Sequence, residues 1–264
     1  MPNWPDGWSI EQMDFRNPYR IKSVAVPRRL TFARGFTLAE MAVVLVIIAL
    51  LIAGMMLPLA AQQEIRARQE TEKTLNDIRD ALLGFAVANG RLPRPATSAV
   101  DGAENPALCG SDAACSGFIP WATLGVRKVD GWNKLIRYSV TPAFANATIT
   151  LATIATRTVQ TRDASGAAIY LAGQAACSTT SQCVPAVVFS QGRRNWGTSE
   201  AGDALADESA TNADEDANDA GPTNYFSRLP VTDTAAVGGE FDDMVIWLPT
   251  TILVHRLIAA GKLP

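Results

Sequence analysis

Few residues of this chain have a type and spacing suited to covalent chemistry. There is one histidine, His255, between Val254 and Arg256. A histidine-centred triad would depend on it entirely, and a multi-histidine zinc site is excluded. Ser190-Gln191-Gly192 lacks the Gly-x-Ser-x-Gly elbow of a serine nucleophile, and no glycine-rich phosphate loop occurs. Nothing here supports an enzyme. The run 200–219 holds eight acids and no Lys or Arg. Within it Asp214, Asp216 and Asn218 alternate as in a calcium loop, but Asp219 replaces the required Gly and Tyr225 the bidentate Glu. An EF-hand therefore fails, and a solvated acidic loop is expected. Arg193-Arg194 beside Asn195-Trp196 is a small basic patch opposed by the acids that follow it. With a net charge of −3, nucleic acid is not an expected partner.

The four cysteines form two pairs at equal spacing, Cys109/Cys115 and Cys177/Cys183. Three connectivities are open, and the matched local spacings favour 109–115 with 177–183. Zinc knuckles need Cys-x₂₋₄-Cys pairs, which are absent. Each disulfide would close a short loop, contributing about 2 kcal/mol in the chain-entropy model, and would place this part of the protein outside the cytoplasm.

The remaining reactive group is Glu40. It stands in "RGFTLAEM" (34–41), directly before Met41–Ala61, a run of 21 residues without charge. As a helix that run spans about 30 Å, one hydrocarbon core, where an isolated acid costs about 2.5–3.5 kcal/mol. Residues 1–35 carry six Lys/Arg against three acids, so they should stay in the cytoplasm and the rest should cross the membrane. A plain signal anchor, or a signal peptide cut after Ala61, leaves Glu40 unexplained.

The elements that must position these groups follow from periodicity. After the apolar run, Ile65, Leu75, Ile78, Leu82 and Phe85 recur mostly every three or four residues among charged neighbours. One helix is predicted from Phe36 to about Ala88, ended by Asn89-Gly90 and Pro93, with a bend plausible at Gly54 and Pro58. Beyond it, 135–140, 148–154, 167–172, 186–190 and 244–248 read as short strands, and the stretch from Thr250 to Gly261 reads as a terminal helix.

"RGFTLAEM" resembles the processing motif of type IV prepilins and type II secretion pseudopilins. There a basic leader ends in Gly, followed by Phe and by Glu as the fifth mature residue. The resemblance implies cleavage between Gly35 and Phe36 by a prepilin peptidase, with methylation of the new Phe36 amine. It also gives Glu40 an assembly role, because its carboxylate would neutralise the Phe36 amine of another subunit. The implied fold is pilin-like α+β, a long N-terminal helix on a C-terminal antiparallel β-sheet head with long loops. Its parts would be a cleaved cytoplasmic leader (1–35), a transmembrane and assembly half of the helix (36–61), an amphipathic half (62–89) and a periplasmic or extracellular head (90–264). Met13 is an alternative start.

Segments of the head, "GRLPRP", "GFIPWATLGV", "DGWNKLIRYSV", "VVFSQGRRNWG" and "FDDMVIWLP", resemble those of pseudopilin-like proteins. In "GGEFDDMV" the resemblance implies a calcium site at Asp242 or Asp243; no other cofactor is expected. The function implied is that of a structural subunit, minor or accessory given the large head, of a type IV pilus or a type II secretion pseudopilus. Its partners would be the peptidase and methylase, other pilin or pseudopilin subunits, an inner-membrane assembly platform and the lipid itself. The subunit would begin in the bacterial inner membrane, single-pass with its head periplasmic. Two other readings are a tip-located module binding a surface, DNA or secreted cargo, and a membrane-anchored periplasmic protein outside any filament.

Overall fold

Helix α1 runs Leu38–Asn89, 52 residues, in a computed structural model that describes residues 35–263 apart from the side chains of 53–59. The leader therefore lies outside the described residues, except for Gly35. The chain divides into two compact units, Met1–Ala53 and Gly54–Pro264. In the first, large apolar side chains from Met41 to Ile52 are exposed around the helix. Among the described residues, no helix is long and apolar enough to cross a membrane. The uncharged run 41–61 includes the seven positions whose side chains are not described.

In the second unit α1 is one-sided. Leu75, Ile78, Leu82, Leu83 and Ala86 are buried at three- and four-residue steps. Thr71 and Thr74 are also buried, each satisfying its hydroxyl on the carbonyl four residues back, Ala67 and Glu70, at 2.8 and 2.9 Å. Gly90 ends the helix at φ +70°, its N–H donating to Ala86 O at 2.8 Å, a left-handed cap.

The predominantly antiparallel head builds two layers against this helix. A four-stranded sheet has order β1 (Ser116–Phe118), β2 (Arg137–Val140), β5 (Ala186–Ser190), β9 (Met244–Leu248), antiparallel throughout. Ala186 and Val188 of β5 join the α1 side of the core. Val187 and Phe189 point the other way, packing with Val159 and Tyr225. Those belong to a second sheet of order β4 (Ala168–Ala172), β3 (Thr158–Arg162), β8 (Asn224–Phe226). A strand covered on both faces shows no alternation, which is why β5 is buried at all five positions and apolar from Ala186 to Phe189. β6 (Gly197–Thr198) and β7 (Ala204–Leu205) form a small ribbon. Short helices α2 (Trp121–Leu124) and α3 (Pro142–Asn146), then α4 (Ala213–Ala220) and α5 (Thr250–Ala259), complete the order.

Three expectations are corrected. Residues 148–154 form no strand: Thr153 Oγ1 accepts the Thr150 N–H at 2.9 Å and closes a turn. The head is not wholly antiparallel, since β3 and β8 run parallel. The acidic run is not merely a solvated loop. It contains α4, whose Asp214, Glu215 and Asn218 are buried with partners. Asp214 takes a two-pronged Arg162 fork at 2.6 and 3.1 Å and lies 3.2 Å from Arg228. Buried charge is tolerated when it is paired, and no local signal in 200–219 reveals arginines 52 positions before Asp214 and 14 positions after it.

Disulfides join Cys109 to Cys115 and Cys177 to Cys183. Buried Arg157 fastens the first loop to the sheet, bonding the Asp112 carboxylate, Ser139 Oγ at 2.9 Å and Thr156 Oγ1 at 2.7 Å.

Candidate functional site

At the start of α1 the chain writes Thr37-Leu-Ala-Glu40, and the structure turns it into a capping box. Thr37 Oγ1 accepts the Glu40 N–H at 3.1 Å, while the Glu40 carboxylate accepts the Thr37 N–H at 2.8 Å. Thr37 Oγ1 also donates to Glu40, at 3.0 Å. Gly35 and Phe36 precede the helix outside any regular element and are exposed, Phe36 by 78%. Glu40 thus has a local partner in the single subunit. The Thr-x-x-Glu spacing carried that signal in the sequence, alongside the processing motif it overlaps.

The second cluster lies in the head. Asp130 organises the turn "DGWNK": its Oδ1 accepts the N–H groups of Trp132 at 2.8 Å and Lys134 at 2.9 Å, and Ser190 Oγ donates to its other oxygen. Burial raises the Asp130 pKa, against the hydrogen bond from Ser190. Lys134 is buried too and donates its ammonium to the carbonyls of Gln191, Arg194, Asn195 and Trp196 at 2.7–3.2 Å. Burial lowers its pKa, although the surrounding acids oppose the shift. The lysine thereby acts as a tethered cation that shapes the loop 191–196.

Beside this loop stand Glu215, Asp242 and Asp243, each offering a carboxylate oxygen within 4.8 Å of the others. α4 supplies Glu215, and the entry to β9 supplies the two aspartates. Asp242 Oδ2 accepts the Arg193 and Arg194 N–H groups at 3.2 and 3.1 Å, and the Asp242 N–H donates to Glu215 Oε1 at 2.6 Å. Gly192 permits this approach: a Cβ there would stand 1.9 Å from Asp242 Oδ1. Asn218 donates to Asp243 at 2.8 Å. Burial first, then the neighbouring Glu215 charge, pushes the Asp243 pKa well up, and burial also raises those of Glu215 and Asp242.

The set fits a hard divalent cation. All three donors are carboxylates, as calcium takes, and Asp242 Oδ1 is buried with no hydrogen-bond partner. The sequence singled out both aspartates and missed Glu215, because only the fold returns α4 to β9. His255 is exposed on α5, away from these acids in sequence, and its side chain makes no hydrogen bond or ion pair among the described residues.

Residues 31–56 match the prokaryotic N-terminal methylation motif. The chain therefore carries the signature of type IV prepilin-like and pseudopilin-like proteins, a structural rather than enzymatic group. The motif implies processing by prepilin peptidase and assembly with other pilin subunits. No curated protein and no solved structure matches the chain.

Proposed function

We propose that the chain is a minor or accessory structural subunit of a type IV pilus or type II secretion pseudopilus. Residues 36–61 hold it in the inner membrane until its helix enters the fibre. The observation that carries this reading is the methylation motif at 31–56 leading into a helix whose large apolar residues from Met41 to Ile52 are exposed. Such a helix needs lipid or other helices around it. The size of the head favours an accessory role: 175 residues follow Asn89, a larger head than a minimal major subunit needs.

The experiment is the N-terminal mass of the mature chain. A start at methylated Phe36 is expected. A start at Gln62 or an uncut leader would overturn the reading.

A second element concerns calcium. Glu215, Asp242 and Asp243 would hold the ion, which would neutralise their charge and fasten α4 to β9. The orphaned Asp242 Oδ1 favours this reading.

A further inference from the structure

Glu64 and Arg68 occupy the first turns of α1 beyond the uncharged run that ends at Ala61. Two head residues close on these turns. The Trp132 indole N–H donates to Glu64 Oε2 at 3.2 Å, with the Arg68 guanidinium 5.8 Å from the Trp132 ring centre. The Arg193 guanidinium lies 3.8 Å from the same carboxylate. Ala60, Ala67 and Gly131 are too small to fill the space between, leaving an open cavity of about 280 Å³ walled by Trp132, Arg193 and Glu64.

The chemistry of this cavity is specific. Glu64 is already balanced by Arg68 at 3.0 Å and by Trp132. Arg193, 67% exposed in its side chain, makes no side-chain hydrogen bond among the described residues beyond that one loose ion pair. Its donor fork suits two phosphate oxygens. Exposed Arg66, on the same turns, has no ion pair among the described residues. A tryptophan carries an apolar ring and a polar N–H, here on Glu64, and such a side chain suits the level where acyl chains give way to headgroups.

From these observations we infer that the Trp132–Arg193 cavity binds the phosphate of an anionic phospholipid before the subunit leaves the membrane. The inference rests on the proposal that residues 36–61 span the bilayer. The bound headgroup would set the depth at which α1 emerges, and leaving the membrane would require its release.

The test uses the full mature chain in nanodiscs of phosphatidylcholine alone or mixed equally with phosphatidylglycerol. After release into mild detergent, native mass spectrometry counts the lipids retained. Phosphatidylglycerol should be retained preferentially. Arg193→Gln should reduce its retention about five-fold, as expected for one basic group at a membrane surface, while Arg256→Gln on α5 should not. Equal retention of the two lipids, or equal loss in both variants, overturns the site while leaving the membrane reading intact. Failure of the chain to enter either nanodisc overturns the membrane reading and this inference together.

Discussion

Glu215, Asp242 and Asp243 put three carboxylates within 4.8 Å of one another, with burial raising each pKa. Such a cluster is destabilising until a cation or a proton joins it. Millimolar calcium should therefore raise the thermal midpoint of the metal-free chain, by the equivalent of about 2.7 kcal/mol at a hundred times the dissociation constant. Asp243→Asn keeps an acceptor for Asn218 and removes one charge. It should stabilise the metal-free protein and abolish the calcium shift, as followed by calorimetry. An unchanged midpoint in wild type at millimolar calcium would remove the case for the ion.

At the scale of elements, the decisive contact joins the "DGWNK" turn to α1. The Gly131 N–H donates to Thr71 Oγ1 at 2.9 Å, and a Cβ on Gly131 would stand 2.2 Å from the Ala67 carbonyl oxygen. Backbone on both sides leaves nothing flexible to yield. Gly131→Ala should cost about 1–3 kcal/mol, as overpacking does, and lower the thermal midpoint by several degrees. Gly84, exposed on the same helix with nothing within 4 Å of its Cβ position, is the control. Gly84→Ala should instead stabilise by about 0.5–1 kcal/mol through helix propensity. A neutral Gly131→Ala in denaturant titration would show that the turn does not fix the helix.

At the scale of the whole molecule, the unresolved tension is between two partners for Glu40. In the single subunit its carboxylate caps its own helix through Thr37. In the proposed fibre it pairs with the methylated Phe36 amine of a neighbour, so assembly would exchange a local hydrogen bond for a charge pair in low dielectric. Glu40→Ala should thus be processed to the same N-terminus yet fail to enter fibres; normal incorporation, scored by immunogold labelling of sheared filaments, would defeat the exchange.

The sequence by itself determined the elements whose signals are local. The processing motif, the 52-residue helix, its Asn89-Gly90 end, the cysteine pairs and four of the five expected strands all rest on neighbours a few positions apart. "TITLATI" misled because β-prone residues carry no record of a pairing partner, and here threonine hydroxyls turn the chain instead. Only the tertiary structure decided what the acids of the head do. Asp214 is buried because Arg162 and Arg228 reach it, Glu215 because α4 folds onto Asp242, and Asp130 because Ser190 at the end of β5 donates to it. A buried charge is defined by partners distant in sequence, and composition reads the same residues as solvated until the chain closes around them.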